Sequence, residues 1–134
     1  MATNLEPVRQ AAAIPFRGGQ ICLVTSRSRK RWVIPKGCLE PGSSLGEIAL
    51  KEAWEEAGLS GVLQQEPVGS YVYEKAGFTC HVTVFSMQVT SVAEDWPERV
   101  LRDRCWLAPG HALARLEEHG LREIIRGLVP MRVG

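Results

Sequence analysis

The sequence predicts an α/β sandwich built on a mixed β-sheet, and two observations carry that expectation. Short apolar runs separated by turn signals flank a single amphipathic helical stretch near residues 44–57. A second helical pattern closes the chain after the last strand candidate. Residues 1–134 contain no internal repeat, low-complexity tract or linker, and are read as one domain. A chain of this length buries about two-thirds of its unfolded surface.

The elements follow in order. Residues 1–7 are expected to be a flexible arm. Val8 to Phe16 is a strand candidate, Arg17-Gly-Gly its turn, and Gln20 to Ser26 a second strand rich in apolar residues. After a basic loop over residues 26–31, Trp32-Val-Ile forms a short third strand that ends at Pro35. Gly37, Pro41 and Gly42 make residues 36–43 a loop. Ser44 and Glu47 have the spacing of a capping box, so the helix starts there, and Gly58 is placed to end it. Val68 to Glu74 and Phe78 to Val89 read as a hairpin about the turn Lys75-Ala-Gly77. An acidic loop over residues 91–99 leads to a last strand at Asp103 to Leu107. Pro109-Gly110 opens a helical segment to about Glu118, and Leu121 to Leu128 a second one.

Composition narrows the function class. Hydrophobic residues make up 45% and charged residues 23%, the balance of a globular protein. A formal charge of +1 provides no global attraction to nucleic acid, so no stable nucleic-acid complex is expected and anion binding must come from a local patch. No apolar segment is long enough for a membrane helix, and Met-Ala-Thr-Asn-Leu-Glu lacks the layout of a signal peptide. Cys22, Cys38, Cys80 and Cys105 are widely spaced and are read as reduced thiols, which fits a cytoplasmic location.

The chemistry concentrates in two clusters. Glu52, Glu55 and Glu56 have i, i+3, i+4 spacing and share one helix sector, with Leu50, Ala53, Trp54 and Ala57 on the other side to face a core. Like charges stacked this way destabilise a helix, so a cation is expected beside them. Carboxylate oxygens suit a hard divalent cation, and Mg²⁺ in particular bridges to substrate phosphates. The plain alternative is a solvated acidic face. The second cluster is basic: Arg27, Arg29, Arg31 and Lys36, with Lys30 among them, could clamp phosphates through forked hydrogen bonds. Here the alternative is a solvated loop that balances the acidic helix. Glu94, Asp95 and Glu98 read as a solvated loop, Trp32, Trp54 and Trp106 as packing residues. His81, His111 and His119 lack ligand-like spacing, so zinc is not expected.

The run Gly37-Cys-Leu-Glu-Pro-Gly-Ser-Ser-Leu-Gly-Glu-Ile-Ala-Leu-Lys-Glu-Ala-Trp-Glu-Glu-Ala-Gly-Leu59 resembles the signature of the Nudix hydrolases. Gly37, Glu52, Ala53, Glu55, Glu56, Gly58 and Leu59 fall in register. Two positions depart: Ser43 stands where the family has Glu and Lys51 where it has Arg, a pair that commonly braces the loop against the helix. The stretches Ala11–Arg17, Cys22–Ser26 and Arg31–Gly37 are similar to the strands before the signature. Arg31-Trp-Val-Ile-Pro, Glu94-Asp-Trp-Pro-Glu98 and Arg104-Cys-Trp106 look most like the branch that hydrolyses diphosphoinositol polyphosphates and diadenosine polyphosphates.

The resemblance implies a Nudix-type α/β/α sandwich and a Mg²⁺-dependent pyrophosphohydrolase, with Mn²⁺ able to substitute. On that reading Glu52 and Glu56 are the side-chain metal ligands, joined by the Gly37 carbonyl, and Glu55 is the base. Exchange of roles between Glu55 and Glu56 stays open. Arg9 and Arg104 match positions that touch substrate phosphates in that branch, and Glu98 a position that supplies a further ligand or base in some members. The partner is a small phosphorylated molecule, a dinucleoside polyphosphate or a diphosphoinositol polyphosphate, acted on by a monomer or homodimer. ADP-ribose, nucleotide-sugar or oxidised-nucleotide hydrolysis is the alternative within the class. A catalytically silent nucleotide sensor is the alternative outside it.

Overall fold

Ala11, Ala12, Ala13 and Ile14 are all fully buried, and their side chains go to two different cores. Ala12 and Ile14 enter one cluster, Ala11 and Ala13 the other, as the two-residue period of a strand covered on both faces requires. The structure is a computed structural model that describes residues 6–129. Residues 1–5 of the expected arm lie outside the described residues; Glu6 and Pro7 are exposed.

The strands are β1 (Val8–Arg17), β2 (Gln20–Thr25), β3 (Trp32–Val33), β4 (Lys36–Cys38), β5 (Leu59–Leu63), β6 (Gly69–Lys75), β7 (Phe78–Val92) and β8 (Arg104–Leu107). The helices are α1 (Leu45–Ala57), α2 (Pro109–Arg115) and α3 (His119–Leu128). The sheet runs β3-β2-β1-β7-β5, with β4 on β1, β6 on β7 and β8 on β2. Its centre, β1 against β7, is parallel, and every other pairing is antiparallel, which makes the sheet mixed as expected. One face packs on Ile48, Ala49, Ala53 and Ala57 of α1. The other packs on Ala112 and Leu113 of α2 and on Leu121 and Ile125 of α3.

Helix α1 starts where the capping box put it. The Ser44 hydroxyl accepts from the Glu47 N–H at 3.1 Å, and the Glu47 carboxylate accepts from the Ser44 N–H at 2.9 Å. That bond to the Ser44 backbone also holds the Glu47 carboxyl below its usual range. Ser44→Ala is expected to destabilise the fold by about 1 kcal/mol. Urea denaturation checks this, and an unchanged midpoint would rule the cap out as a contributor. Gly58, at φ 68°, ends the helix in the left-handed region where a side chain is costly.

Three expectations need correction. The loop over residues 36–43 contains a strand, β4, because Lys36, Gly37 and Cys38 pair with Ala12, Ala11 and Gln10. Leu59–Leu63 is also a strand, β5, which pairs with β7 through a register shift at Ser60/Gly61. A Cβ on Gly61 would stand 2.1 Å from the Gln88 carbonyl oxygen, so glycine there permits close backbone approach. Third, Trp54 is 41% exposed instead of packed. The buried stripe of α1 runs through Ile48, Ala49, Ala53, Glu56 and Ala57, leaving Trp54 at its edge. Trp32 and Trp106 do pack against the two cores. The hairpin turn is as read, with Ala76 and Gly77 both at positive φ (52° and 80°).

Candidate active site

Helix α1 leaves its last carbonyls without partners inside the helix. The Gly58 N–H donates to the Trp54 carbonyl at 2.9 Å, and the Glu98 N–H to that of Glu55 at 3.0 Å. Trp96 Nε1 donates to the Glu56 carbonyl at 3.0 Å, and Arg104 Nη1 to that of Ala57 at 2.7 Å. The segment between β7 and β8 is therefore the cap of α1, and it fixes the helix end that carries the glutamates. Arg104 also lies over the Trp96 ring at 4.1 Å. Its positive charge sits at the negative end of a helix with no basic residue in its last turn.

Glu56 projects from this anchored turn into the protein and is 6% exposed. One of its oxygens, Oε1, faces the Lys36 N–H at 3.4 Å, and the other faces Arg102 Nη2 at 3.6 Å. Glu52, one turn earlier, shares a side-chain hydrogen bond with Glu56. Its carboxyl lies directly over Gly37, where an added Cβ would stand 2.5 Å from Glu52 Cδ. Burial pushes Glu56 up to about 8 against the lowering effect of Arg102, with the bond from Glu52 adding to the rise. Burial also raises Glu52. Two carboxyl groups so close share a proton unless a cation replaces it.

That donor set fits a hard divalent cation. Glu52 and Glu56 would hold it, with the Gly37 main chain beside them. No cluster of three or more His, Cys, Asp or Glu side chains suited to a metal occurs among the described residues. Glu55 is half-buried, and its charge is near enough to add to the rise of Glu52.

A groove of about 370 Å³ opens beside Glu56. Of the cations expected to hold phosphate, Arg27, Arg31 and Lys36 line it. Lys36 lies over the Tyr73 ring at 5.3 Å, and burial lowers its pKa. Arg29 does not line the groove: Arg29 Nη2 donates to the Val100 carbonyl at 2.9 Å, and Nε pairs with Asp103 at 3.4 Å. Arg9 is exposed on β1 and Arg104 caps α1, so neither lines it. Glu98 is not solvated as expected, since Arg102 Nε at 3.0 Å and Arg27 Nε at 3.5 Å both hold it. Glu94 and Asp95 are exposed, Asp95 paired with Arg99 at 3.9 Å.

Sequence reasoning passed over Arg102 and Lys75, which also line the groove. Only the i, i+4 spacing of Glu98 and Arg102 could have drawn attention to the first. The altered brace is resolved locally: Lys51 Nζ donates to Glu40 Oε1 at 2.6 Å, which ties the loop to α1 from a different loop position. All four cysteines are free, as expected, and Cys38 alone of them is exposed.

The sandwich, and the loop and helix that face the groove, define the Nudix class of fold. The chain belongs to the NUDIX domain family, whose pattern it matches over residues 6–128. It is 35% identical over 119 residues to Nudix hydrolase 12, mitochondrial, of Arabidopsis thaliana, covering 80% of this chain and 59% of that one. It is also 35% identical over 118 residues to diphosphoinositol polyphosphate phosphohydrolase 3-alpha of Homo sapiens, covering 83% of this chain and 70% of the relative. The chain spans 52–63% of the length of the Arabidopsis relatives it matches. Among solved structures, the NUDIX hydrolase from Nitrosomonas europaea superposes with a TM-score of 0.77 at 24% identity, over 92% of this chain and 88% of the other. The C. elegans Ap4A hydrolase gives 0.74 at 18% identity, over 92% and 96%. These two likenesses speak for the fold. No helix among the described residues is long and apolar enough to cross a membrane.

Proposed function

We propose that the protein is a Mg²⁺-dependent hydrolase of a phosphoanhydride, acting on a highly phosphorylated small molecule of the dinucleoside polyphosphate or diphosphoinositol polyphosphate kind. The observation that carries this reading is the junction of the Glu52–Glu56 pair over Gly37 with a groove lined by Arg27, Arg31, Lys36, Lys75 and Arg102. Carboxylates at one end and Arg27, Arg31, Lys36 and Lys75 along the walls suit a substrate that carries more negative charge than one metal ion neutralises. The names of relatives point the same way, since one hydrolyses a diphosphoinositol polyphosphate and a structural neighbour is an Ap4A hydrolase.

On this reading Arg27 and Arg31 bind phosphate oxygens through their guanidinium forks, while Lys36 holds one oxygen as a point charge. A bound divalent cation would screen the phosphate charge and make water a better nucleophile. The attacking water gives its proton to a Glu55 carboxylate oxygen as its oxygen adds in line to phosphorus, and the anhydride oxygen leaves with the remaining phosphate. No covalent enzyme intermediate forms. Glu55→Gln is expected to lower turnover by about two orders of magnitude or more. The measurement is phosphate release from a panel of dinucleoside polyphosphates, diphosphoinositol polyphosphates, ADP-ribose and nucleotide sugars, with Mg²⁺ or Mn²⁺. Running it in ¹⁸O-labelled water locates the attacked phosphorus. Near-wild-type turnover of the variant removes Glu55 as base, and binding without turnover across the panel supports a sensor instead. A reducing compartment suits four free thiols, so the cytoplasm is the proposed location.

A further inference from the structure

Arg102 has its side chain only 9% exposed, and a buried guanidinium is costly unless its donors are satisfied. Each branch of its fork goes to a different element. Nη1 donates to the Thr25 carbonyl at the end of β2 at 2.9 Å, and Nε to Glu98 Oε1 in the capping segment of α1 at 3.0 Å. Nη2 faces Glu56 Oε2 on α1 at 3.6 Å. Thr25 is locked in turn, its hydroxyl accepting from the Asp103 N–H at 2.9 Å and its own N–H donating to the Asp103 carbonyl at 3.0 Å. The guanidinium is thus fixed independently of Glu56, and it holds one oxygen of that carboxylate while the Lys36 N–H holds the other.

We propose that Arg102 is a positioning residue of the metal site: it fixes the Glu56 carboxylate so that Glu56 and Glu52 present oxygens to one cation. The proposal rests on the metal-site reading above. Lys51 cannot take this part, because its ammonium is drawn to Glu40 on the loop. Glu98 links the arrangement onward to Arg27, so the charges Arg27, Glu98, Arg102 and Glu56 run from the groove wall to the metal ligand.

The test is Mn²⁺ binding to the whole chain, measured by calorimetry and by the free-Mn²⁺ paramagnetic signal below the melting temperature. Arg102→Met is expected to weaken Mn²⁺ binding by about 10-fold or more, the range for residues that orient a ligand. Arg102→Lys keeps the charge without the fork, and is expected to recover folding stability but only part of the affinity. Turnover by these variants should be restored by raising the metal concentration, so the loss is in metal affinity and not in the rate at saturation. Wild-type Mn²⁺ affinity in Arg102→Lys overturns the proposal, whether or not Arg102→Met folds. Tighter binding by Arg102→Met also overturns it, since Arg102 would then act only as a competing positive charge. A wild-type chain that binds no Mn²⁺ overturns the metal reading itself, and the inference with it.

Discussion

Glu56→Gln is expected to lose about two orders of magnitude or more in metal-dependent hydrolysis, while its metal-free fold melts no lower than wild type at alkaline pH. The reason is the burial of Glu56 beside Glu52, which pushes its pKa from the usual 4.5 to about 8. A carboxyl raised on folding contributes stability that is fully present below 4.5 and lost as pH rises through about 8. At pH 9 the metal-free wild type carries an ionised, poorly solvated carboxylate that the amide replaces with a neutral group. The melting temperature of the variant relative to wild type should therefore increase from pH 6 to pH 9 in EDTA. Saturating Mg²⁺ should reverse the order, because only the wild type gains the binding energy. The same shift predicts that wild-type protein releases a proton on taking up Mn²⁺ at pH 7, measurable by calorimetry in buffers of different ionisation enthalpy. Proton uptake or release indistinguishable from zero at pH 7 would show that the pair is already fully ionised and that burial does not raise Glu56 to about 8.

Gly37→Ala is the second large effect, and it separates function from folding. The new methyl would meet Glu52 Cδ at 2.5 Å and Cγ at 2.6 Å, which is tolerable only if the Glu52 side chain swings away. That side chain is flexible and half-exposed, so the fold accommodates the change. The carboxylate pair does not. The expected result is a melting temperature within a few degrees of wild type and Mn²⁺ affinity reduced by about 10- to 100-fold. A variant that unfolds would instead assign Gly37 to the packing of β4, and one with full affinity would remove Glu52 from the metal site.

Much of the site was legible in one segment because its information is local. Capping depends on residues three apart, so Ser44 and Glu47 announced the start of α1, and Gly58 its end. Helical spacing placed Glu52 and Glu56 one turn apart on a shared face, and the resemblance to the Nudix signature implied a main-chain partner at Gly37. Strands with buried residues on both faces read correctly as apolar runs. Strand β5 did not: its burial alternates, but Leu59-Ser-Gly-Val-Leu63 puts glycine at an inward position and valine at an exposed one, so the residue types do not show the alternation. Trp54 went astray because helical spacing put it on the side of α1 opposite the glutamates, whereas the stripe that is buried runs through Ile48, Ala49, Ala53, Glu56 and Ala57 and leaves Trp54 at its edge.

The basic residues divide most clearly. Arg27, Arg29, Arg31, Arg104 and Arg102 are alike in sequence, each a long cation in a polar stretch. In the fold Arg27 and Arg31 line the groove, Arg29 braces a loop, Arg104 caps α1, and Arg102 enters the carboxylate cluster. Such differences come from partners far away along the chain, among them Glu56, Ala57, Val100 and Thr25. No local pattern encodes them.

By itself, then, the sequence determined the α/β class, the limits of the acidic helix and the carboxylates that belong to it, because helix caps and helical period are properties of neighbouring residues. The tertiary structure decided which cations face those carboxylates, how far Glu56 is withdrawn from water and what holds it there. Those depend on which strand ends and loops the sheet brings against α1, and that juxtaposition exists only once the two cores have closed on either side of β1 and β7.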